Sequence, residues 1–305
     1  MALKDIKTKI GSTNRTHQVT RAMEAVSAVK MRKTVAAALA GRPYARAALA
    51  ILARLASSTE LVRHPLLTKV EPLEKIALVI ITSDKGLAGA LNSGVLKAAA
   101  EQIRTYVIDN VSVYAYGRKG NEYFVRRGYQ VAYYAENQKD EVEVSVMEEL
   151  TCTLSDGFMK KEYDQVVVAY SNFKSTFEQT PTIRTLLPLS VASVRQLVED
   201  IIPEKGAMSH VGHEVSEYAP AYTIEPEDAD VLSTLLPRLV ATSLYHMLLE
   251  AKASEHSARM VAMKNASDKS KEIAHDLTRL FNKIRQAAIT REVSEIVGGR
   301  EALAT

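Results

Sequence analysis

The chain has a single cysteine, Cys152, among 305 residues. An internal disulfide and any thiol–disulfide switch within the chain are therefore excluded, a usage that suits a reducing compartment, and a small buried hydrophobe is the default reading of Cys152. No apolar run approaches the roughly eighteen residues that a membrane-spanning helix needs. The strongest, 76–81, has the length of a strand. Residues 1–10 carry Lys4, Lys7 and Lys9 interrupted by Asp5, with no apolar core or cleavage site behind them, so the start reads as mature sequence rather than a leader. Neither GxGxxG nor GxxxxGK[ST] occurs, which removes the two most specific phosphate-binding signatures. Disorder is excluded as a general state, because 25% charged and 47% hydrophobic residues is the balance of an ordinary folded protein.

The most informative absence lies near the carboxyl end. Residues 238–297 are sixty consecutive positions without glycine or proline, and they predict one helix. At about 1.5 Å per residue it would be roughly 90 Å long, too long to be enclosed by a domain of this size. Pro226 suits a first helical position, with Glu227, Asp228 and Asp230 favouring the positive end of the dipole. Pro237 is expected to kink the helix, and Gly298 and Gly299 to end it. Its expected apolar seam runs through Leu232, Leu235, Leu239, Met247 and Leu248. It narrows to Ala251, Ala258, Ala262 and Ala266, then continues as Ile273, Leu277, Leu280 and Ile284. Small residues in the middle admit close approach of a second helix.

That second helix is predicted at the opposite end. From 2 to 42 only Gly11 interrupts a helical pattern, with Leu3, Ile6, Ile10, Val19, Met23, Val26 and Met31 as a discontinuous stripe. The heptad continuation falls on Thr13, His17, Thr20 and Ser27, so the seam is thin and the pair needs something else to embrace it. Another helix is expected over 44–58. Between the ends the period changes. Strand-like runs at 76–82, 111–116, 129–134, 165–170 and 182–189 alternate with helical stretches at 87–104, 120–127 and 142–160. Such alternation predicts an α/β domain with a largely parallel sheet. Residues 190–222 read as an irregular connection. The expected organisation is a shaft helix at 1–60, an α/β foot at 61–225, and the long shaft helix at 226–305.

Net charge is +3, yet residues 1–56 hold eleven Lys or Arg against Asp5 and Glu24. A basic arm of this kind expects an acidic partner: nucleic acid, anionic lipid or acidic protein loops. Aromatic residues are nearly absent from it, which weakens binding of single-stranded nucleic acid, since bases have nothing to stack on. The stretch 83–92, Ser-Asp-Lys-Gly-Leu-Ala-Gly-Ala-Leu-Asn, follows a strand and precedes a helix, where phosphate loops often sit; without either signature it reads as a structural turn. His210 and His213 have a His-x-x-His spacing in an irregular segment and read as a solvated loop, not a metal site. His17, His246, His256 and His275 are scattered along helical stretches without a nucleophile and acid to match. No catalytic group, cofactor site or metal site is predicted.

Several stretches together resemble one family. They are 20–26 (Thr-Arg-Ala-Met-Glu-Ala-Val) with Lys30-Met31-Arg32-Lys33, Gly41-Arg42-Pro43-Tyr44, the 83–92 loop, 254–266, and 289–299 (Ile-Thr-Arg-Glu-Val-Ser-Glu-Ile-Val-Gly-Gly). In these the chain is similar to the gamma subunit of F-type ATP synthases over essentially its whole length. Arg291 and Arg300 depart from the family's usual neutral and small residues near the end. The cysteine pair and inserted segment of redox-regulated chloroplast members are missing, so a bacterial-type member is implied.

The resemblance implies a fold in which the terminal helices form a long antiparallel coiled coil and the Rossmann-like α/β domain is inserted between them. It implies a non-catalytic rotor inside a hexamer of alpha and beta subunits, resting on the epsilon subunit and the c-subunit ring, with nucleotides held by alpha and beta. The setting would be the cytoplasmic face of the bacterial inner membrane, with proton- or sodium-driven rotation coupled to ATP synthesis or hydrolysis. By position, Arg285, Gln286, Thr290 and Glu292 are expected to contact a beta-subunit loop. Met23, Lys30 and Lys33 are expected at the neck beside an acidic beta loop, and Tyr218 and Tyr222 toward the c ring. Two other classes stay open on the residues alone: a basic coiled-coil protein that binds nucleic acid, and a small α/β enzyme using the 83–92 loop.

Overall fold

A computed structural model of the chain describes residues 3–41, 43, 47, 64–139, 142–190 and 228–302, with side chains of the last helix described over 233–297 and at 300. Its elements are α1 (Leu3–Ala40), β1 (Ile76–Ile81), α2 (Leu91–Gln102), β2 (Val111–Tyr116), α3 (Arg118–Val125), β3 (Gln130–Ala135), α4 (Val144–Met159), β4 (Gln165–Ser175), β5 (Glu178–Leu187) and α5 (Asp228–Ala302). The chain divides into two compact units, one formed by residues 28–259 and the other by 1–27 with 260–305.

The first unit is organised by a five-stranded sheet in the order β3-β2-β1-β4-β5. β1 is its central strand, and all six residues, Ile-Ala-Leu-Val-Ile-Ile, are buried. A strand covered on both faces has no use for alternating polar residues, which is why the run is continuously apolar. Its odd and even side chains feed two separate cores. Ile76, Leu78 and Ile80 meet Val95 and Ala99 of α2, Ile103 just after it, and Phe124 of α3. Ala77, Val79 and Ile81 face the side that collects Leu150, Leu154 and Phe158 of α4 and Leu236, Leu239, Val240, Leu244 and Leu248 of α5.

β1 pairs in parallel with β2 and β4, and β2 in parallel with β3. The last two strands run further than their apolar cores. β4 extends to Ser175 and β5 begins at Glu178, so they close an antiparallel hairpin on a mainly parallel sheet. Cross-strand pairing carries polar residues such as Asn172, opposite Thr180, into strand conformation, which an apolar-run criterion does not register.

The second unit is the antiparallel pairing of the two terminal helices. Its seam follows heptad spacing more strictly than the apolar residues do. On α1, Ile6, Ile10, Thr13, His17, Thr20 and Ser27 are buried or half-buried, whereas Val19 and Val26 are exposed. On α5, Met263, Ser267, Ser270, Ala274, Leu277, Phe281 and Ile284 face inward, and Ile273 and Leu280 stand outside. The expected stripe is thus corrected at Val19, Val26, Ile273 and Leu280. Position in the 3.5-residue repeat overrides side-chain polarity there, because small hydroxyl residues allow the backbones to approach and can bond back into their own helix. Thr20 Oγ1 does so, donating to the Thr16 carbonyl at 2.9 Å. Across the seam, His17 Nδ1 lies 3.0 Å from the Ser267 carbonyl oxygen and 2.9 Å from Ser267 Oγ, a polar pin between the helices.

Two further expectations change, at the end of α5 and at Cys152. α5 does not stop at Gly298 and Gly299 but continues to Ala302, since glycine is a weak helix former rather than an obligatory stop. Pro237 lies inside α5 without ending it. Cys152 is exposed, not buried, on the outer side of α4. The helix expected at 44–58, apart from position 47, and Pro226 lie outside the described residues.

α5 also carries a buried imidazole in the first unit. His246 is 1% exposed, and burial lowers its pKa from 6.5 to about 4. The folded protein therefore refuses a proton that the unfolded chain accepts. The resulting stability is complete above about pH 6.5 and is lost as pH falls toward about 4, by about 3 kcal/mol at most. Denaturant midpoints measured from pH 7 to pH 4 are expected to fall more steeply for the wild type than for His246→Leu; equal slopes would remove His246 as the cause.

Candidate functional site

In an open, mainly parallel sheet the ligand crevice lies outside the carboxyl ends of the strands where the winding direction reverses. Here that point is between β1 and β4, which flank each other although two strand–helix units separate them in sequence. The loop following β1 is held by its own groups. Ser83 N–H donates to Asn92 Oδ1 at 3.1 Å, Asn92 Nδ2 donates to Ser83 Oγ at 2.7 Å, and Ser83 Oγ donates to the Lys85 carbonyl at 2.7 Å. Asp84 Oδ1 accepts from the Arg118 amide at 2.6 Å, while the Arg118 guanidinium donates to the Asp84 carbonyl at 3.0 Å. The Gly120 amide at the start of α3 donates to Thr82 Oγ1 at 2.8 Å. Gly117 precedes α3 with φ +108°, and a Cβ there would lie 2.0 Å from the Thr82 carbonyl oxygen. The amides a phosphate would need from Ser83, Arg118 and Gly120 are thus committed to the protein.

The crevice itself is crossed by α5. Ser254 Oγ donates to the Ser171 carbonyl of β4 at 2.9 Å, and Ser257 Oγ to the Thr176 carbonyl at 2.6 Å. Gln179 Nε2 of β5 reaches Ser257 Oγ at 3.4 Å, and Lys252 Nζ donates to the Lys139 carbonyl after β3. Arg259 binds Glu255 Oε1 at 2.6 Å and the Gly86 carbonyl of the β1 loop at 3.4 Å. Ser254 and Ser257 are fully buried, and Glu255 and Arg259 nearly so. Their charge reaches the sheet: burial, then Asp84, with a smaller push from Glu255, raises the Tyr116 phenol to about 12. Residues 254–266 contain no large apolar side chain before Met260, and that small, polar composition lets the helix lie directly on strand ends. The arrangement clamps a helix. The 83–92 loop has the hydrogen-bonded geometry of a structural turn.

The sequence-predicted contact residues lie elsewhere. Met23, half-buried, is on the α1 segment of the second unit, and Lys30, half-buried, and Lys33, exposed, are on the α1 segment of the first. Arg285, Gln286, Thr290 and Glu292 are all exposed near the end of α5, where Thr290 Oγ1 donates to the Gln286 carbonyl at 3.0 Å. Tyr218, Tyr222, His210 and His213 lie outside the described residues. Among the described residues, no cluster of three or more metal-ligating side chains occurs, and no helix is long and apolar enough to cross a membrane.

Past Ile284 the inward-facing positions of α5 give out, with only Ala288 half-buried through 297. Ile289, Val293, Ile296 and Val297 are exposed there, Ile296 at 72%. Their spacing of four, three and one residues makes an apolar stripe along one helical face that no described residue covers.

The ATP synthase family model matches residues 2–303. The ATP synthase gamma chain of Pelotomaculum thermopropionicum is 38% identical over 302 residues, covering 99% of each chain. That of Chloroflexus aurantiacus is 39% identical over 304 residues, covering 98% of each. The chain belongs to the ATP synthase gamma chain family. The fold agrees with solved structures of low sequence identity. A chain of the Euglena gracilis mitochondrial ATP synthase (OSCP/F1/c-ring) aligns with TM-score 0.63 at 16% identity, covering 99% of this chain and 94% of that one. A chain of the Tetrahymena thermophila mitochondrial ATP synthase central stalk and c-ring gives 0.56 at 22%, covering 82% and 99%. None of these relatives is described as binding nucleic acid, the other class that the basic arm left open.

The clamp has a measurable signature. Arg259→Ala leaves the Glu255 carboxylate buried without its cation and is expected to destabilise this gamma chain by about 3 kcal/mol. Adding Glu255→Ala should restore part of the loss. A double-mutant cycle by urea denaturation checks this, and strictly additive effects would show that the pair does not act as a unit.

Proposed function

We propose that this chain is the central rotor shaft of a bacterial ATP synthase. It couples ion-driven rotation of a c-subunit ring to conformational change at the catalytic beta subunits, and it catalyses nothing itself. The observation that carries this reading is the uncovered apolar face of Ile289, Val293, Ile296 and Val297 beyond the end of the paired seam. Apolar contacts have no directional preference, so a helix turning inside an apolar collar of alpha and beta subunits breaks no hydrogen bonds as it moves. Charged and amide groups on the same stretch supply the angle-dependent contacts. Arg285, Gln286, Thr290 and Glu292 are exposed there and serve as coupling residues toward a beta-subunit loop.

Coupling of this kind has an energetic requirement. Three identical catalytic subunits adopt different states only if something asymmetric touches each differently. Moving one site from 1:99 to 99:1 between two states takes about 5.5 kcal/mol of differential contact, whereas an exposed ion pair supplies about 1 kcal/mol or less. Several contacts must change together, which favours a second set at the neck. Met23, Lys30 and Lys33 fill that role against an acidic beta loop, consistent with the basic excess of residues 1–56.

In this reading 1–60 and 226–305 form the shaft and 61–225 the foot. The foot rests on the epsilon subunit and the ring, with Tyr218 and Tyr222 toward the ring. Membrane association is indirect, at the cytoplasmic face of the inner membrane.

Co-expression with alpha and beta subunits should yield an assembly with one copy of this chain per alpha–beta hexamer; failure to co-purify would reject the reading. Within such an assembly Gln286→Leu or Glu292→Ala is expected to leave the isolated chain folded but lower ATP-driven torque, measured by single-molecule rotation. Unchanged torque and unchanged synthesis in both would remove these residues from the coupling set. Lys30→Glu with Lys33→Glu is expected to impair assembly or rotation, and normal behaviour would remove the neck assignment.

A further inference from the structure

The hairpin of β4 and β5 carries the most exposed large apolar side chain among the described residues. Phe177, at its tip, is 78% exposed. The other four phenylalanines of the chain, Phe124, Phe158, Phe173 and Phe281, are buried or half-buried. Ser175, Thr176, Glu178 and Gln179 flank Phe177, so its ring stands as a single anchor among polar neighbours.

The tip is held firmly. The Phe177 amide donates to Ser175 Oγ at 3.4 Å, and Gln179 Nε2 donates to the Ser175 and Thr176 carbonyls at 3.1 and 3.0 Å. The Thr176 carbonyl also accepts from Ser257 Oγ of α5 at 2.6 Å. A ring presented on a turn of this kind has little backbone freedom left to lose when a partner takes it up, which is the condition for an efficient contact residue. Load on the tip passes to α5 through Ser257.

The position of Ser257 along the helices shows what else lies at that level. Gly41, just after α1, lies against His246, since a Cβ there would come within 2.8 Å of the imidazole. α1 and α5 run antiparallel. Stepping back eleven residues on α1 reaches Lys30, and stepping forward eleven on α5 reaches Ser257. The Phe177 tip is therefore level with Lys30 and within a turn of the level of Lys33, the residues assigned above to an acidic beta loop. The hairpin adds Lys174, half-buried, to the basic groups at this height. An acidic loop with an apolar residue or cleft beside it is the surface that complements this combination.

Area separates a permanent neighbour from a passing one. A stable complex buries about 800 Å² on each partner. One phenylalanine contributes about 150–250 Å², and polar residues surround this one. Such a contact forms and releases readily, which suits a subunit past which the shaft turns and not one that turns with it.

We propose that Phe177 is an apolar anchor for the beta subunit, entering beside the acidic loop that meets Lys30 and Lys33 and releasing it as the shaft turns. The proposal rests on the rotor reading and adds to it a contact made by the α/β unit, braced directly on α5.

The test uses the co-expressed assembly with alpha and beta subunits, carrying the photoreactive p-benzoylphenylalanine in place of Phe177. A control carries it in place of Val107, 65% exposed in the loop before β2. Irradiation during ATP turnover is expected to give a beta adduct from position 177, mapped by mass spectrometry to an acidic segment, and no beta adduct from position 107. An adduct only with alpha or another subunit, an adduct on beta away from acidic sequence, or no adduct at all would overturn the proposal. Phe177→Ser is expected to lower ATP-driven torque in single-molecule rotation and Phe177→Leu to preserve it, with both isolated chains keeping the wild-type urea midpoint because the side chain is exposed. Wild-type torque in Phe177→Ser would also count against the anchor. If the chain does not co-purify with alpha and beta, both readings fall; an assembly that forms without the beta adduct rejects this one alone.

Discussion

The seating of residues 243–257 of α5 on the sheet is the constraint from which the rest of the first unit follows. All but Tyr245 in that stretch are buried, and four of its polar side chains reach strand or loop carbonyls or an adjacent buried charge. Leu244, Met247, Leu248 and Leu249 of this stretch lie in the hydrophobic core. Beyond them small polar groups hold the helix, Ser254 meeting the Ser171 carbonyl within β4 and Ser257 the Thr176 carbonyl just after it. The loop after β1 is then fixed from both sides, by Asn92 and Arg118 of the sheet domain and by Arg259 from α5.

The second unit makes the opposite bargain. Its seam places threonine, serine and histidine where a stable coiled coil has leucine or valine, while Val19, Val26, Ile273 and Leu280 face outward. Such a pair has modest cohesion of its own and apolar surface to offer. The small residues of the thin seam keep the two backbones close.

The fold was largely legible in the chain. The alternation of apolar runs and helical stretches located all five strands and the three helices between them, and the glycine- and proline-free run located α5. What could not be read had specific physical causes. The α1 stripe fails at Val19 and Val26 because heptad phase decides there over side-chain hydrophobicity; the heptad continuation through Thr13, His17, Thr20 and Ser27 is the face that the fold buries. Gly298 and Gly299 looked like a stop, though two glycines cost only about 2 kcal/mol in a helix. The clamp of Ser254, Ser257 and Arg259 is invisible in sequence because its partners are backbone carbonyls, which every residue possesses. The contact residues at Arg285, Gln286, Thr290 and Glu292 came from family likeness, and their exposure on α5 is what the structure adds.

The occupied crevice at the carboxyl ends of β1 and β4 has a wider meaning for how this chain works. A Rossmann-like layer order ordinarily comes with an open slot, and a slot makes a protein's shape answer to whatever fills it. Here the same polypeptide has filled its own. The form of this unit at the carboxyl ends of its strands is therefore set by its own helix.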